Sequence, residues 1–467
     1  MTSLHKWCCA ALLPLAALGC KSAQVAAGAP SGPVPAAVLT QPPATAPVAA
    51  VGFQEPLPHP AGQAPLPTDD LFGETLTREW LHMQVEARNP SLEAMVAAWQ
   101  AAAQLYPQRI ALDDPMLMGM IAPESVGSAV TETAYALQLN QKLPWLGKRS
   151  LRGAAAAADA DAAWQEAEDS RLQVRLAADT AFYEYFLATR LDELNRQTLQ
   201  LLQDLRATAQ DRFQNNLVTE QDLIQADVEL AELARRQLEV GRMHQVAIAR
   251  INTLLRRWPD APLPPPPAGL EAPRPTADPN LLWQTALQQR PDLAALAWKV
   301  QSEEAALALA YKDFYPDFDA FARYDTFWQP SSTQGPLRAQ VGLAVNLPVY
   351  RRKLNAAVCE AQFRLNQRRA EFEQRSVEIQ YEVVAAAQQV EESRRAIELY
   401  EQRLAPRAQE NVAAVRANYI VAKATFLDLA QAQRQLVAIS ERQVETLVTY
   451  HRWLSELDRA VGVTGLR

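Results

Sequence analysis

The chain has 467 residues, 49% of them hydrophobic, and a formal net charge of −8 at pH 7. This acidic balance, without a basic patch interleaved with aromatic residues, argues against a nucleic-acid-binding protein. The five histidines have no metal-ligand spacing, and we find neither a phosphate-binding glycine loop nor a nucleophile elbow, so the sequence predicts no metal site, no cofactor and no enzyme.

Residues 1–20 have the pattern of a bacterial export signal. Lys6 precedes a short apolar run, and a cleavage site of small residues ends in Cys20. The run is too short to cross a bilayer as a helix of the mature protein. The site is similar to a lipobox, in which Cys20 would become the palmitate-bearing first residue, although Ala17 stands where leucine is usual. Ordinary secretory cleavage is the alternative. By resemblance to bacterial lipoproteins, Lys21 favours the outer membrane.

Residues 21–68 are rich in alanine and proline, a composition that cannot bury a core and predicts an extended tether. Among the four cysteines, only Cys359 would remain unmodified after cleavage and lipidation, so no disulfide within the chain is expected. After the signal, no uninterrupted apolar run approaches the roughly 20 residues of a membrane helix. A chain like this would have to cross a membrane as a closed β-barrel.

Residues 69–260 and 281–467 are two copies of one pattern, separated by a Pro-rich linker at 261–280. The prolines that precede the long helices, Pro144 and Pro348, are 204 residues apart. At the helical turns the offset between the copies is 206 residues, so the second copy has gained only two residues. A repeat of this length organises the whole chain.

Each copy contains helices, a strand pair and a long helical hairpin. Asn89-Pro90 and Arg290-Pro291 begin equivalent helices, because proline is tolerated in a helix's first turn. The strand pairs and hairpins are predicted at about 110–143 and 147–258 in the first copy, and at 318–347 and 351–461 in the second.

The strand segments alternate between apolar and polar residues. In the second copy, Phe318, Ala320, Ala322 and Tyr324 would share one face. Such segments of about 10 residues are typical of transmembrane barrel strands, and a half-buried soluble sheet is the alternative. Four strands cannot close a barrel alone, so a barrel would need several copies of the chain.

Three methionines fall at alternating positions in the first strand pair. Met116, Met118 and Met120 would share one face if this segment is a strand. Thioethers suit the soft ion Cu(I), but such a set more often forms apolar barrel or rim surface.

The hairpin limbs have helical periodicity. The outgoing limb from Gly147 to about Phe213 contains no proline and would be roughly 100 Å long as one helix. The returning limbs carry apolar residues at spacings of three and four, as in helices packed nearly parallel, interrupted at Gln237 and Gln443. An antiparallel coiled-coil spacer would show the same pattern.

In its order of elements, the chain resembles the TolC family of bacterial outer-membrane efflux proteins. The resemblance covers about residues 70–462 and includes the stretch 141–149 after a strand and the Asp-Leu-x-x-Ala returns at 222–226 and 428–432. It implies a mainly α protein with a membrane β-barrel: a homotrimer in which twelve strands form the barrel and twelve helices form a tunnel.

The resemblance also implies a function. Members of the family are passive exit ducts of tripartite efflux pumps, held in outer-membrane lipid and extending into the periplasm. Their partners are a periplasmic adaptor (membrane fusion) protein and an inner-membrane transporter. The stretch 144–149 is most similar to members that serve heavy-metal exporters of the resistance-nodulation-division type. A type I protein-secretion duct of the same fold and a lipid-anchored coiled-coil scaffold without a pore are the alternatives.

The family places its periplasmic gate and its adaptor-docking surface at the hairpin tips. Asp222 and Asp428 follow the tips and are the expected gate residues, since a ring of acids favours cations. They could instead stabilise the N-termini of the returning helices through the helix dipole, and both roles are compatible. The expected docking residues are Asn215, Asn216, Leu217, Val218, Thr219, Val421, Ala422, Lys423, Ala424 and Thr425.

Overall fold

The structure is a computed structural model of the chain. It describes residues 74–121, 135–215, 219–271, 273–274, 278–326, 339–421 and 423–463. The predicted signal, the lipidation site at Cys20 and the tether therefore lie outside the described residues. The same holds for Asn216, Leu217, Val218 and Ala422 of the predicted docking tips.

The described chain consists mainly of helices with one small sheet, which confirms the predicted fold class at this level. The elements of the first copy are α1 (Arg78–Arg88), α2 (Pro90–Ala103), α3 (Leu105–Ile110), β1 (Met116–Ile121), β2 (Tyr135–Leu143), α4 (Lys148–Gln214) and α5 (Glu220–Leu254). Those of the second copy are α6 (Pro279–Gln289), α7 (Pro291–Lys312), β3 (Phe318–Thr326), β4 (Ala339–Val345), α8 (Arg351–Leu399), a π turn (Tyr400–Leu404), α9 (Ala405–Ile420) and α10 (Phe426–Val461).

The helices begin where their capping residues predict. Pro90 and Pro291 occupy the first positions of α2 and α7, as expected from their equivalent places in the repeat. The Asn89 side chain accepts a hydrogen bond from the Ser91 backbone N–H at 3.0 Å, which satisfies one of the unpaired donors at the start of α2.

One expected boundary in the first copy is wrong. The first strand was expected from about Ile110, but Ile110 ends the short helix α3 and β1 begins only at Met116. Pro115 immediately precedes the strand, and proline has no N–H to donate to a strand ladder. The Ile110 side chain instead packs against Gly153 of α4, where an added Cβ would lie 2.5 Å from it.

The four strands form one antiparallel sheet in the order β1-β2-β3-β4. The two copies therefore meet at its centre, where β2 pairs with β3 from Leu143↔Phe318 to Tyr135↔Thr326. Because paired residues lie on the same face, the register separates an apolar face from a polar one. The apolar face includes Leu117, Ile121, Tyr135, Leu137, Leu139, Leu143, Phe318, Ala320, Ala322, Tyr324, Val341, Leu343 and Val345, and its polar members are Gln141 and Thr326. The polar face includes Gln138, Asn140, Lys142, Asp319, Arg323, Asp325 and Gln340.

The long helices pack side by side. Helix α4 contacts α5 on one side and α10 on the other, and α10 also contacts α8, so α5 and α8 lie at the two ends of this helical layer. The main core between these helices is aromatic and aliphatic, and includes Phe182, Tyr183 and Phe186 of α4 with Ile251 of α5.

Gln237, which interrupts the apolar pattern of the first returning limb, has hydrogen-bond partners within its own hairpin. The Gln237 amide donates to Asp192 at 2.7 Å and accepts from the Asn195 amide. In the second hairpin, Gln443 instead lines an open groove of about 410 Å³ together with Glu401 of the π turn.

In each copy, an ion pair joins a shorter helix to the long helix through an equivalent arginine, although the two acids lie on different helices, α1 and α7. Arg171 pairs with Glu86, and Arg375 pairs with Asp292 at 2.8 Å. These two arginines are 204 residues apart, which is the offset of the prolines that precede the helices. Burial alone would raise the pKa of Asp292, but the hydrogen bonds and charges of Arg290 and Arg375 bring it below its ordinary value.

The second outgoing limb contains the π turn. The offset between the copies is still 204 at Arg375 but 206 at the tips, so the extra residues lie between Arg375 and Val421. A π turn accommodates one inserted residue without disturbing the helix on either side, so this turn accounts for one of the two extra residues. It is closed by the Ala405 N–H, which donates to the Tyr400 carbonyl. Pro406 follows directly and lacks the N–H that an α-helix would use there.

Candidate functional site

The two hairpin tips of one chain are joined by an arginine. The Arg212 guanidinium near the end of α4 donates to the Tyr419 carbonyl at 2.9 Å and to the Ile420 carbonyl at 2.8 Å. These are among the last carbonyls of α9, which have no partner within their own helix. The same guanidinium lies 4.6 Å from the centre of the Tyr419 ring, a cation–π distance.

A small apolar core lies beneath this contact. Tyr419 and Phe426 are buried at the tip, with ring centres 6.3 Å apart in an edge arrangement. Ala209 of α4 and Ala226 of α5 complete the same cluster, so it includes residues from both hairpins. The sequence prediction missed Arg212, Tyr419 and Phe426. Tyr419 and Phe426 could have been singled out as aromatic residues that flank the turn. No local signal indicates Arg212.

Asp428, a predicted gate residue, caps the helix that returns from the second tip. Its carboxylate accepts from the Thr425 backbone N–H at 2.9 Å and from the Thr425 hydroxyl at 2.7 Å, while that hydroxyl accepts from the Asp428 N–H at 3.2 Å. These reciprocal contacts form a capping box. The hydrogen bonds from Thr425 hold the pKa of Asp428 below its ordinary value, so the carboxylate is ionised at neutral pH.

Asp222 occupies the same position after the first tip, with longer contacts. Its carboxylate accepts from the Thr219 backbone N–H at 3.2 Å. Both aspartates thus stabilise the start of a returning helix, as the helix-terminus alternative expected. In the single chain, Asp428 is exposed and Asp222 is partly exposed.

The described docking residues form the turn itself. Asn215 is the C-cap of α4, and Thr219 and Thr425 are the N-caps of α5 and α10. The Lys423 and Ala424 N–H groups both donate to the Asn418 carbonyl, at 2.8 and 3.3 Å, which fixes the turn backbone. This arrangement leaves Val421 exposed, with 60% of its surface accessible.

A buried lysine joins the strands to the first long helix. Lys148 is 2% exposed, and its ammonium group lies 2.9 Å from Asp317 and 3.3 Å from Asp313, and donates to the Tyr315 carbonyl at 3.2 Å. Asp317 also accepts from the Trp145 N–H at 2.8 Å. These contacts fix the connection between β2 and α4 and explain the lysine at position 148 of the stretch 141–149.

The apolar face of the sheet is uncovered in the single chain. Val341 is 87% exposed, Leu117 is 70% exposed, and Leu137, Leu139 and Leu343 are about half exposed. An apolar surface of this kind requires a partner protein or lipid. Polar-face residues such as Gln138, Asn140 and Arg323 are less exposed than their apolar neighbours along the same strands.

The two end helices of the layer also carry exposed apolar stripes. On α8, Phe363, Ala370, Val377 and Val384 follow one another at intervals of seven residues, and Tyr381 lies beside them. Their face is distinct from the buried stripe that packs on α10. On α5, the exposed apolar residues are Ile224, Val228, Leu238 and Val246.

The described residues contain neither a membrane-spanning helix nor a metal-binding group of side chains. Within this part of the chain, no helix combines the length and apolar character needed to cross a membrane. The described histidine, cysteine, aspartate and glutamate side chains form no group of three or more placed to hold a metal ion. Cys359 lies half-buried on α8 and forms no disulfide.

Comparisons with known proteins agree with this architecture. Residues 282–463 match the family described as outer membrane efflux protein. Over 192 residues, or 40% of this chain, the sequence is 26% identical to the fusaric acid resistance protein FusA of Burkholderia cepacia. The matched region spans 36% of that relative's length.

Solved structures are similar over most of the chain. The channel CusC matches with a TM-score of 0.72 and 17% identity, covering 88% of this chain and 99% of that one. The outer membrane protein VceC of Vibrio cholerae matches with a TM-score of 0.70 and 20% identity, covering 83% of this chain and 96% of that one.

These matches agree with two predictions. The matched family is described as outer membrane efflux protein and not as an enzyme, in agreement with the prediction that the protein is not an enzyme. The second copy of the repeat carries an outer membrane efflux protein domain and the described chain has the fold of the TolC-like outer-membrane channels, which confirms the predicted resemblance.

Proposed function

We propose that the protein is the outer-membrane exit duct of a tripartite efflux pump, a passive homotrimeric channel gated at its hairpin tips. The observation that carries this proposal is the sheet, which has one exposed apolar face and one polar face. Lipid would cover the apolar face, and the polar face would line an aqueous lumen. A soluble sheet would bury its apolar face instead.

The edges of the sheet support assembly into a ring. In the single chain, β1 and β4 are edge strands with unpaired backbone groups, which cannot remain unsatisfied in lipid. Pairing β1 of one copy with β4 of the next is a heterologous contact, and such contacts close into rings. Three copies would supply twelve strands, the number that the resemblance implies.

The helical layer supports the same assembly. Its two ends, α5 and α8, carry exposed apolar stripes, so each of these helices would contact a neighbouring copy. A heptad-spaced stripe such as Phe363, Ala370, Val377 and Val384 suits packing against a nearly parallel helix. Three copies would place twelve long helical limbs around one tunnel.

The tips would carry gating and partner docking. A trimer would repeat Asp428 three times around the axis, and its low pKa keeps this carboxylate charged at neutral pH. The periplasmic adaptor would contact the docking residues, and through it the duct would meet an inner-membrane transporter of the resistance-nodulation-division type. Palmitate on Cys20 would add a lipid anchor at the outer membrane.

The alternatives have less support. A type I protein-secretion duct would share the fold, but the curated relative is named for resistance to fusaric acid, a small molecule, and this favours small-molecule efflux. A coiled-coil scaffold without a pore would account for the helices. It would not need a sheet with an exposed apolar face.

Reconstitution into planar lipid bilayers tests the proposal. We expect stepwise conductance from the wild type and almost none from Leu139→Arg/Val341→Arg, which places two charges on one row of the apolar face. An arginine at the bilayer midplane costs about 2–4 kcal/mol.

The matched control adds the same two charges to the other face. Gln138→Arg/Gln340→Arg lies one residue away on the same strands, and we expect it to insert normally and reduce cation preference. If the wild type stays soluble without detergent and never conducts, the scaffold replaces the duct. Equal insertion by both variants would contradict the assignment of the faces.

A further inference from the structure

Strand β1 differs from the other three strands on the polar face. Met116, Met118 and Met120 pair with Asn140, Gln138 and Ala136, so all three thioethers lie on the polar face. On the remaining strands this face carries mainly amides and charged groups. Three of the chain's seven methionines thus occupy alternating positions of one six-residue strand.

The position of the methionines is not explained by packing. Each is 42–57% exposed, and no residue of β1 is buried. A lipid-facing role belongs to the opposite face, which contains Leu117 and Ile121. A strand that needed only apolar bulk could use leucine or valine, which lack a ligand atom.

Thioether sulfur is a soft ligand and selects ions such as Cu(I) over Mg²⁺, Ca²⁺ or Mn²⁺. Alternate residues of a strand lie roughly 6.5 Å apart, and each methionine has three rotatable bonds. Neighbouring sulfurs can therefore converge on one ion from either side. The strand offers two overlapping pairs of this kind, Met116 with Met118 and Met118 with Met120.

We propose that these methionines form a transit site for a soft monovalent metal ion of the Cu(I) type. The location inside a lumen rests on the proposed function, while the binding chemistry belongs to β1 alone. Conduction requires sites weak enough to release their ion, and an ion can pass from one two-thioether site to the next without leaving sulfur coordination.

The neighbourhood of the strand leaves the sulfurs open. After ring closure, β4 of the adjacent copy would lie beside β1 with Gln340, Gly342 and Ala344 on the same face. Two of these residues have little or no side chain, and Gly342 is already covered by the Phe321 ring of its own copy. No bulky group from β4 would therefore occupy the methionine side.

Metal binding is measured first, on the full protein in detergent. All proteins carry Cys359→Ser, because the cysteine thiol would itself bind Ag(I). Equilibrium dialysis against Ag(I), a redox-stable stand-in for Cu(I), is compared for this background and for Met116→Leu/Met118→Leu/Met120→Leu. We expect at least one Ag(I) per chain in the background, and a loss of affinity of at least tenfold in the triple variant.

The matched control changes methionines elsewhere. Met83→Leu/Met243→Leu keeps the three methionines of β1 and should bind Ag(I) like the background. Equal binding by the triple variant and the background would overturn the proposal.

Bilayer recordings separate this proposal from the proposed function. Micromolar Ag(I) should interrupt the current through background channels and leave that of the triple variant unchanged. Channels that conduct but show neither binding nor interruption would refute the site alone. Binding by a protein that never conducts would refute the duct and leave a metal site on β1.

Discussion

At the level of single residues, Asp428 combines a structural contact with a charge at the tip. Its carboxylate caps α10 through Thr425 and is ionised at neutral pH. The capping role needs an oxygen acceptor, whereas a role in ion selection needs a negative charge. Asparagine supplies the first without the second, so a substitution can separate them.

We therefore predict different outcomes for Asp428→Asn and Asp428→Ala. The asparagine variant should keep the melting temperature within a degree or two, because Asn is also a good cap, and should lose cation preference. The alanine variant should lose both. Reversal potentials in a salt gradient and thermal unfolding by circular dichroism measure the two effects. Unchanged selectivity in both variants would leave Asp428 as a helix cap only.

At the level of elements, the two outgoing limbs reach equivalent tips with different helices. Helix α4 is continuous over 67 residues, whereas α8 and α9 are joined by the π turn. A residue inserted into an α-helix rotates everything after it by roughly 100°. The π turn confines this change to one turn, so Tyr419 still faces the tip core.

This interpretation predicts that one residue can be removed from the π turn. In a Pro406→Ala background, deletion of Gln402 should give a regular α-helix and preserve the fold. Deletion of Gln388, an exposed residue within α8, should rotate the rest of the limb by roughly 100° and expose the tip core.

Thermal unfolding and electron microscopy of the purified variants compare the two deletions. We expect a melting temperature near that of the background for the first and a fall of more than about 10 °C for the second. Equal tolerance of both deletions would show that the π turn does not mark the insertion.

The elements that the sequence predicts are those with local signals. Periodicity and the proline at its start predict α7, and strict alternation predicts β2 and β3, because each depends on neighbours in sequence. Pro115 is a local signal for the late start of β1, but the packing of α3 against Gly153 that accompanies it has no local pattern. The contact of Arg212 with Tyr419 joins residues 207 positions apart and needs the packed hairpins.

At the level of the whole molecule, the proposed function makes the chain one segment of a ring. Its sheet has two unpaired edges, and its helical layer ends in two apolar stripes that do not meet within one copy. In the assembled ring, the sheet, the connection around Lys148 and the two hairpins of each copy would repeat around the axis. Assembly should therefore depend on the stripes without changing the fold of a single copy.

We predict that Val377→Asp/Tyr381→Asp prevents trimer formation. Val377 and Tyr381 are 65% and 74% exposed in the single chain, so aspartate is tolerated there until α8 meets another copy. Light scattering during size-exclusion chromatography in detergent gives the mass. Circular dichroism should show the helix content of the wild type.

Met83→Asp, at a residue 63% exposed on α1, adds a charge away from the stripes and should remain trimeric. A trimer of unchanged stability in the double variant would show that α8 is not an assembly surface.

Arg212 determines how the tips can move. Because it holds the last carbonyls of α9 from α4, the two hairpins of one chain form a single mechanical unit at this end. Separating the two hairpins of one copy would expose those carbonyls and the Tyr419 ring to water. In a trimer, the less costly motion separates one copy from the next, so the aperture would enlarge along three seams, with each pair of hairpins tilting as one rigid lever.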